Sequence, residues 1–596
     1  EARTGDGDES PVVLAGRVLA SVQAWLAEED AEGGRLVVVT RGAVPAGGDA
    51  AVTDPGGAAV WGLVRAAQAE NPDRIVLVDT DTDTDTDTDT GTETDTDIDI
   101  HTGTGTDVGA GSELGRVLAS GEPQVAVRGG ALFVPRLARV VPAGSAEPVL
   151  DPEGTVLITG GTGTLGSEVA RHLVERHGVR HLLLAGRRGP DSEGAARLVA
   201  ELGELGAAVS VAACDVTDRD AVAALLAAVP DAHPLTGVVH AARVFDAGVI
   251  GEVDQDRMAR VFAPKVTGVR HLDELTREHA PDLAAFILLS SASSVFLGAG
   301  TGGYAAANAY LDAVAHQRRA AGLPAVSLAW GPWEPAGGQA AVTGAAAPGR
   351  TGRRGGVVPL TPAAGMELLD AALPAGEALV VPVKLDLRAL RADAALGAGV
   401  APLFRGLVRT GRKAARAGAG DSGGLARRLV TLSPAEQENL LLQLVQGQVA
   451  TVLGHTGADQ VRAATAFKDA GFDSLTSVEL RNRLRETTGL NLPATAVFDY
   501  PTPLALARYL HQRLAPGGET APVTHPLLAE LSKLESLLAE TAADDATRTQ
   551  VATRLQGLLT TWSTASGAEQ DAEEGLDFDA ASDDELFELI DTEFGH

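Results

Sequence analysis

A glycine-rich turn between an apolar strand and a helix constrains this chain more than any other segment. Residues 156–158 are apolar, the turn TGGTGTLG spans 159–166, and a helical pattern follows. Gly161, Gly163 and Gly166 have the spacing GxGxxG in the strand-to-helix context that a dinucleotide-binding loop requires. Such glycines permit a tight turn, so that a diphosphate can lie on the helix N-terminus. We therefore predict a Rossmann-like α/β domain.

Two arginines follow the next strand pattern, which covers residues 181–184. An acidic residue at this position would bind a ribose 2′-hydroxyl, whereas Arg187 and Arg188 suit a 2′-phosphate. This favours NADPH as the cofactor; the alternative is that both arginines are merely exposed to solvent. A third strand pattern ends near Asp215, whose carboxylate could bind an adenine amine, and a fourth ends near His240.

A serine, a tyrosine and an asparagine follow the apolar run at 285–289. Ser291 leaves this predicted parallel strand, and Tyr304 and Asn308 lie one turn apart on a predicted helix. They share a helix face, which the strand-end serine could meet across a cleft. Because a phenol has a solution pKa of about 10, it acts as a general acid only where neighbours supply positive charge. Lys265 is a candidate cation, although a helix lysine is usually a solvated surface residue.

Residues 11–145 alternate helical and strand patterns, including strands at 36–39 and 75–78 and a hairpin around 129–130, which favours a second βαβ sheet. No glycine-rich loop follows these strands, so this half is expected to be structural and to hold no cofactor. The Asp-Thr repeat at 79–107 lacks large apolar residues and is predicted to be a disordered surface insertion. A metal-binding role for its carboxylates is the alternative.

Length, charge and cysteine content limit the classes of function. A chain of 596 residues is long enough for several domains. The single cysteine, Cys214, is expected to be a small buried residue and fits a reducing cytoplasm. A formal charge of −32 argues against nucleic acid or an anionic membrane as a partner. We expect no metal centre.

Together these motifs resemble the ketoreductase domain of modular type I polyketide synthases, a branch of the short-chain dehydrogenase/reductase family. The matching segments are the glycine-rich loop, the serine and tyrosine segment, HAA at 240–242, PKVTG at 264–268 and AVSLAWGPW at 325–333. The motif and the resemblance assign cofactor binding to Thr159, Gly161, Thr162, Gly163, Leu165, Gly166, Arg187, Arg188, Asp215, Val216, His240 and Ala241.

The resemblance also implies roles for four catalytic residues. Tyr304 would donate a proton to the β-carbonyl oxygen as hydride arrives from NADPH, and Ser291 would bind the same oxygen. Lys265 would lower the pKa of the tyrosine, and Asn308 would support the proton relay. Ser290 is the competing serine, but the spacing to Tyr304 favours Ser291.

The chain departs from the family pattern at several positions. Arg243 stands where the family usually has glycine, which is expected to alter the site near the ribose. Phe245, Asp246 and Ala247 replace the Leu-Asp-Asp associated with one hydroxyl configuration, and Phe296 replaces the tryptophan associated with the other. The pattern leans towards the first configuration and leaves both open. The family's usual first strand has no counterpart before residue 11, which suggests a fragment or a split polypeptide.

Helical patterns from 425 to 514 enclose GFDSL at 471–475. A serine that begins a helix after aspartate is most often an N-cap. This segment, however, resembles an acyl carrier protein, which implies 4′-phosphopantetheine on Ser474 and a substrate held on a swinging arm. Residues 401–424 are expected to be a linker.

Residues 515–596 contain two leucine-rich helical patterns and a short acidic one. The acidic segment could be a solvated tail, but it resembles the docking element of a polyketide synthase subunit. The resemblance implies a homodimer whose partners are upstream ketosynthase and acyltransferase domains, a downstream synthase subunit and a phosphopantetheinyl transferase.

The predicted architecture is thus two Rossmann-like halves, structural at 1–148 and catalytic at 149–400, then an all-α carrier at 425–514 and a helical docking domain at 515–596. The predicted function is NADPH-dependent reduction of a carrier-bound β-ketoacyl thioester to a β-hydroxyacyl thioester. The alternatives are a reductase-silent scaffold that serves only as carrier and docking module, and a free-standing alcohol dehydrogenase. The carrier serine and the docking segment argue against the second alternative.

Overall fold

A computed structural model describes most of the chain up to residue 514. The described residues are 10–27, 34–48, 51–81, 99–103, 113–140, 150–334 except 281, 356–395, 400–408, 425, 429, and 432–514 except 454, 456, 491 and 494. All of them belong to one compact unit, Glu1–Gly517. The prediction of a helical docking domain at 515–596 lies outside the described residues.

The structural half is a five-stranded sheet with helices. Its strands are β1 (Arg35–Arg41), β2 (Ile75–Thr80), β3 (Asp99–Gly103), β4 (Gln124–Arg128) and β5 (Ala131–Phe133). The order is β3-β1-β2-β4-β5, with β1, β2 and β4 parallel and the two edge strands antiparallel to their neighbours. The helices are α1 (Pro11–Ala27), α2 (Pro55–Glu70) and α3 (Glu113–Ser120). The hairpin around 129–130 is confirmed, since β4 pairs antiparallel with β5.

The prediction of a disordered insertion at 79–107 is wrong at two places. Asp79 is fully buried at the end of β2, where its carboxylate accepts hydrogen bonds from the Thr40 hydroxyl, the Ala43 amide and the Arg128 guanidinium. Residues 99–103 form β3, which pairs with β1. This segment is Asp-Ile-His-Thr-Gly, with a single large apolar residue, but backbone hydrogen bonds to an existing strand suffice to hold an edge strand. Residues 82–98 and 104–112 lie outside the described residues.

The catalytic half contains a seven-stranded sheet in which all strands are parallel. Its strands are β6 (Thr155–Thr159), β7 (His181–Gly186), β8 (Ala208–Ala213), β9 (Leu235–His240), β10 (Ala285–Ser291), β11 (Val326–Trp330) and β13 (Leu379–Val380). The order β13-β11-β10-β9-β6-β7-β8 is doubly wound, with β6 and β9 adjacent at the point where the chain reverses direction across the sheet. β12 (Val357–Val358) and β14 (Lys384–Leu385) form a separate antiparallel pair.

The helices of the catalytic half begin and end as follows: α4 (Thr164–His177), α5 (Ala195–Glu204), α6 (Arg219–Ala227), α7 (Gln255–Phe262), α8 (Gly268–His279), α9 (Gly302–Ala320), α10 (Pro362–Ala372) and α11 (Leu387–Ala395). A π-helical turn, Ala263–Thr267, joins α7 to α8. The inner strands read as apolar runs because parallel strands are covered on both faces, whereas the edge strand β8 has only exposed and half-buried residues.

The two halves meet through α2 and α9. A Cβ placed on Gly62 of α2 would lie 2.4 Å from the carbonyl oxygen of Ala305 on α9. Only glycine allows the two helix backbones to approach this closely. The structural half therefore supports the helix that carries Tyr304.

The carrier is a small helical bundle. Its helices are α12 (Pro434–Leu453), α13 (Ser474–Thr488), α14 (Ala496–Asp499) and α15 (Pro503–Leu514). Buried aliphatic side chains from three of them form one core: Val445, Val449, Leu480, Leu484, Leu506 and Leu510. Among the described residues, no helix is both long enough and apolar enough to cross a membrane.

The first residues of the expected linker at 401–424 pack on the reductase. Phe404 is buried against Phe296, with ring centroids 5.2 Å apart, and the Leu137 amide donates to the Leu403 carbonyl at 2.9 Å. Residues 402–408 therefore pack on the reductase, whereas 409–424 lie outside the described residues.

Candidate active site

The glycine-rich loop folds tightly between β6 and α4. A Cβ on Gly166 would lie 2.3 Å from the Gly160 carbonyl oxygen, so a side chain there would push the helix away from the loop. Gly163 is the N-cap of α4 and is exposed. The unpaired N–H groups and the positive dipole end of α4 are therefore open to an anion such as a diphosphate.

The next part of the site is formed where β6 and β9 end side by side. The Ala241 amide donates to the Thr159 carbonyl at 3.0 Å, and the Thr159 hydroxyl lies 2.8 Å from Nδ1 of His240. Burial, together with the charge of Lys265, lowers the pKa of His240 to about 3. His240 is therefore a neutral residue at the strand crossover, beside the loop.

The predicted adenosine-binding residues lie at the ends of β7 and β8. Arg187 and Arg188 are exposed directly after β7. Asp215 is exposed after β8, and a hydrogen bond from the Thr217 amide, the hydroxyl of that residue and the Arg187 charge lower its pKa. The site thus offers two cations and one carboxylate at the edge where a nucleotide would lie.

The remaining predicted cofactor residues are distributed around this loop. Thr162 and Leu165 are half-buried within or just after the turn, and Val216 is buried after β8. Cys214 is 5% exposed, and burial raises the pKa of its thiol to about 11. This confirms that the cysteine is a small buried residue and not an activated nucleophile.

Tyr304 lies in the first turns of α9 and is buried. Nζ of Lys265 lies 5.6 Å from the centre of its ring, and Phe245 contacts the ring edge to face at 5.2 Å between centroids. The Asn308 amide donates to the Tyr304 carbonyl at 2.7 Å, which confirms that the two residues share one helix face. The fold thus brings together three predicted residues that are separated by up to 43 positions.

Lys265 is 1% exposed, in contrast to the solvated lysine that its helical pattern favours. It lies in the π-helical turn, and its ammonium donates to the Leu289 carbonyl at 3.0 Å. Burial and the charge of Arg243 lower its pKa to about 7, against the attraction of Asp312. Arg243, which stands where the family usually has glycine, therefore lowers the pKa of Lys265.

The two candidate serines have different surroundings at the end of β10. The buried Ser290 hydroxyl donates to the Asn308 carbonyl at 3.3 Å. The Ser291 hydroxyl is half-buried and accepts from the Ser293 amide at 3.3 Å. Within the described part of the chain no hydrogen bond joins Ser291 to Tyr304. The Ser291 hydroxyl is partly exposed, whereas that of Ser290 is buried and donates to a carbonyl. This distribution favours Ser291 as the residue that can meet a substrate.

Asp312 is a residue that sequence reasoning missed. Its buried carboxylate accepts from the Ser294 hydroxyl at 2.7 Å and the Ser327 hydroxyl at 2.6 Å, and burial raises its pKa. It therefore ties the segment after Ser291 to α9 and β11. Its spacing of four residues from Asn308 is a signal that would have placed it on the same helix face.

One group of metal-ligand residue types lies between α4 and α10. Nε2 of His172 and Nε2 of His177 lie 2.7 and 2.8 Å from the same Asp370 oxygen. These hydrogen bonds use Nε2 of each ring and join the end of α4 to α10.

Ser474 is the first residue of α13 in the carrier. The N-cap of this helix is Asp473, whose carboxylate accepts from the Thr476 amide at 2.8 Å, so the capping alternative applies to the aspartate and not to the serine. The Ser474 hydroxyl is half-buried and donates to the Glu252 carboxylate of the reductase at 2.6 Å. The predicted attachment hydroxyl therefore has no capping role.

Four family profiles match the chain in the predicted order. They are described as a KR domain at residues 154–335 and the Rossmann fold domain of the polyketide synthase extender module SpnB at 3–137. A phosphopantetheine attachment site matches 443–510, and an erythronolide synthase docking domain matches 521–580.

Similar proteins agree with these profiles. Polyketide synthase GfsA of Streptomyces halstedii is 47% identical over 582 residues, which cover 96% of this chain and 7% of that protein. Erythronolide synthase EryA2 of Saccharopolyspora erythraea is 44% identical over 447 residues, which cover 75% of this chain and 12% of that protein. This chain therefore spans a small part of the length of these relatives.

Solved structures with the same fold include a C2-type ketoreductase from a modular polyketide synthase, at 38% identity and a TM-score of 0.55, covering 68% of this chain and 81% of that one. A structure of A-type ketoreductases from a modular polyketide synthase has 36% identity and a TM-score of 0.54, covering 68% of this chain and 78% of that one.

Fold and site together define a Rossmann-type reductase domain of the ketoreductase class, followed by a carrier domain. The chain belongs to the modular polyketide synthases, of which it contains ketoreductase, phosphopantetheine attachment and docking domains. NADPH is the cofactor of this reductase class, and 4′-phosphopantetheine is the prosthetic group of the carrier class. The exposed N-terminus of α4 beside the glycine-rich loop, with two arginines at the end of β7, fits such a dinucleotide.

Proposed function

We propose that this chain reduces a β-ketoacyl thioester, held by 4′-phosphopantetheine on Ser474, to the β-hydroxyacyl thioester with NADPH. The observation that carries the proposal is the position of Lys265, buried and 5.6 Å from the centre of the Tyr304 ring. A positive charge at this position would attract the negative charge that develops on a carbonyl oxygen during its reduction, because charges interact strongly at low dielectric.

The proposed roles divide the reaction between hydride and proton transfer. NADPH, held by the glycine-rich loop with Arg187 and Arg188 at its 2′-phosphate, supplies the hydride. The Tyr304 hydroxyl donates the proton to the carbonyl oxygen, and the Ser291 hydroxyl donates a hydrogen bond to the same oxygen. Together these groups neutralise the negative charge that develops on that oxygen.

Asn308 is proposed to continue the proton path behind the tyrosine. Its Nδ2 is bonded to the Tyr304 carbonyl at 2.7 Å, whereas its buried Oδ1 has no hydrogen-bond partner among the residues described. A buried amide oxygen without a partner is costly unless water or another donor reaches it. Asn308 is therefore placed to accept from a water molecule that resupplies the proton.

The setting of this reaction is proposed from the family and the docking profile. We propose that the chain acts as a homodimer in the cytoplasm and receives its substrate from upstream ketosynthase and acyltransferase domains. A phosphopantetheinyl transferase would modify Ser474, and the docking segment at 521–580 would pass the product to a downstream synthase subunit. The product would be a polyketide of the antibiotic class.

The test is NADPH oxidation by the purified chain with a free β-ketoacyl thioester, beside Tyr304→Phe. Tyr310→Phe is the matched control, because Tyr310 is also buried on α9. Loss of turnover in Tyr304→Phe with retention in Tyr310→Phe supports the reductase, and chiral analysis of the product settles the configuration that Phe245 and Phe296 leave open.

A wild type that binds NADPH but reduces neither free nor carrier-bound β-ketoacyl thioester would support the reductase-silent scaffold. Failure to bind NADPH would overturn the proposed function. Intact Ser291, Tyr304, Lys265 and Asn308 favour the active enzyme over the scaffold.

A further inference from the structure

The carrier helix α13 lies on the C-terminal end of α2 in the structural half. The Arg481 guanidinium donates to the Glu70 carbonyl, and the Asn482 amide donates to the same oxygen at 3.2 Å. Arg485 donates to the Pro72 carbonyl at 2.6 Å and pairs with Asp73 at 2.9 Å. The last carbonyls of a helix lack partners within the helix and carry its negative dipole end. Cationic side chains of the carrier therefore satisfy the end of a reductase helix.

Arg481 is the most buried of these carrier residues. It is 5% exposed, and burial with the nearby Arg485 charge lowers its pKa to about 10, against the attraction of Glu70. A buried guanidinium is stable only where it is paired and hydrogen-bonded. Burial raises the pKa of the Glu70 carboxyl group to about 7, so its charge is only partly present at neutral pH. The hydrogen bond to the Glu70 carbonyl therefore makes this contact specific for the end of α2.

The Glu70 side chain connects this contact to the active site. Its buried carboxylate accepts from the Ile250 amide at 2.7 Å and the Gly300 amide at 2.8 Å. These amides belong to two segments beside Tyr304: one follows Phe245, and the other joins Ser291 to α9. The two segments also bond to each other, since the Gly248 amide donates to the Gly300 carbonyl at 2.9 Å.

Two further contacts complete the surface. Leu475, next to the attachment serine, packs over Gly300, where an added Cβ would lie 2.9 Å from its side chain. The Ser474 hydroxyl donates to Glu252, which lies two residues after Ile250 in the same short segment. The attachment site is thereby held at the segments that border Tyr304.

We propose that the end of α2, the segment 250–252 and Gly300 form the carrier-docking surface of this reductase, recognised by Arg481, Arg485 and Leu475 of the carrier. This rests on the proposed function, because docking matters only if the carrier presents the substrate. Glu70 is a positioning residue that links the docked carrier to both segments around Tyr304.

Glu252 would repel a carrier whose serine is modified, although it binds the free Ser474 hydroxyl. Once Ser474 is esterified, its oxygen has no hydrogen to donate, and the phosphodiester places a negative charge next to the Glu252 carboxylate. The hydrogen bond from Ser474 to Glu252 is therefore open only to the free hydroxyl, and a modified serine would move away from Glu252 while the contacts of Arg481, Arg485 and Leu475 remain. Glu252→Gln is expected to raise the reduction rate of a carrier-bound substrate about twofold.

The test uses the full chain with its carrier loaded with a β-ketoacyl group. Single-turnover NADPH oxidation is compared with reduction of a free β-ketoacyl thioester, which needs no docking. Arg485→Asp is expected to lower the rate on the tethered substrate at least fivefold and to leave the free-thioester rate within twofold. Arg483→Asp is the matched control, because Arg483 lies on the same helix and pairs with Glu479 of the carrier.

A double-mutant cycle isolates the pair with Asp73. Asp73→Asn suits its backbone, since Asp73 has φ 62° and asparagine tolerates the left-handed region. In the Asp73→Asn background, Arg485→Asp is expected to lower the rate on the tethered substrate by a smaller factor, because the repulsion between two carboxylates is absent.

Equal rates on the tethered substrate in wild type, Arg485→Asp and Arg483→Asp, with the free thioester still reduced, would overturn the docking surface alone. Loss of free-thioester reduction in the wild type would instead overturn the proposed function.

A second readout does not depend on activity. In a chain with Asp73→Cys and Arg485→Cys, a short bismaleimide is expected to cross-link the two cysteines, as seen by peptide mapping. The native Cys214 is buried and does not compete. Asp73→Cys with Lys468→Cys, at an exposed lysine outside α13, is the control pair. A cross-link that is no more frequent in the first pair than in the second would contradict the docking surface.

Discussion

Replacing Lys265 with methionine is expected to stabilise the reductase while abolishing its activity. Burial and the Arg243 charge move the pKa of this lysine from 10.5 in its ordinary state to about 7 in the folded chain. The unfolded chain therefore binds more protons than the folded chain between pH 7 and pH 10.5, and stability rises with pH across this window. Below pH 7 both states are protonated, and the full penalty of burying the charge is present.

The magnitude follows from these two pKa values at about 1.4 kcal/mol per pH unit. The lysine destabilises the folded state by about 4 kcal/mol at pH 7 and about 2 kcal/mol at pH 9. Methionine removes this penalty but leaves the Leu289 carbonyl without its donor, which costs about 1–3 kcal/mol at any pH. The variant is therefore expected to gain about 2 kcal/mol at pH 7 and almost nothing at pH 9.

The assay is urea unfolding at pH 7 and pH 9 without cofactor, followed by tryptophan fluorescence. Four of the five tryptophans, Trp25, Trp61, Trp330 and Trp333, lie in the reductase and are buried or half-buried, whereas the carrier at 425–514 has none and Trp562 lies outside the described residues. Lys384→Met is the control, because Lys384 is exposed and its replacement should leave the pH dependence unchanged. The gain in free energy of unfolding of Lys265→Met over the wild type should be smaller at pH 9 than at pH 7. A gain of the same size at both pH values would refute the reasoning.

Three further predictions concern packing, cofactor choice and the two serines. Gly62→Ala should lower the free energy of unfolding of the reductase by about 1–3 kcal/mol, because its Cβ would lie 2.4 Å from the facing backbone. Gly447→Ala, with open space around it, should raise the free energy of unfolding of the carrier by about 0.5–1 kcal/mol. Arg187→Glu should raise the KM for NADPH at least tenfold and reduce the preference for NADPH over NADH in steady-state kinetics; equal preference before and after would mean that the arginine is only a surface residue. Ser291→Ala should lower kcat about 100-fold or more with the free thioester, and Ser290→Ala less than threefold; the reverse order would move the role to Ser290.

Several parts of the fold could be predicted because they depend on near neighbours in the chain. The glycine-rich loop follows its strand directly, and the four-residue spacing of Tyr304 and Asn308 places them on one face once α9 forms. The hairpin of β4 and β5 follows from its Gly-Gly turn. In contrast, the segment Asp-Ile-His-Thr-Gly at 99–103, which follows the Asp-Thr repeat, gave no sign of β3, because an edge strand is selected by the strand it pairs with.

The electrostatic residues could not be predicted in this way. Lys265 has the pattern of a surface lysine, and its burial results from elements that are distant in the chain. Glu70 ends an apolar helix and would pass as a solvated terminus, yet its carboxylate bonds to amides 180 and 230 residues away. Asp312 likewise depends on serines from two other segments.

The sequence by itself determined the order of domains, the dinucleotide loop, the tyrosine helix and the carrier serine, since each is encoded by spacing within one segment. Only the tertiary structure decided that Lys265 is buried beside Tyr304, that Glu70 holds two segments next to it, and that α13 of the carrier rests on the end of α2. The physical reason is that desolvation and charge pairing depend on what surrounds a group in space, and long-range contacts supply those surroundings.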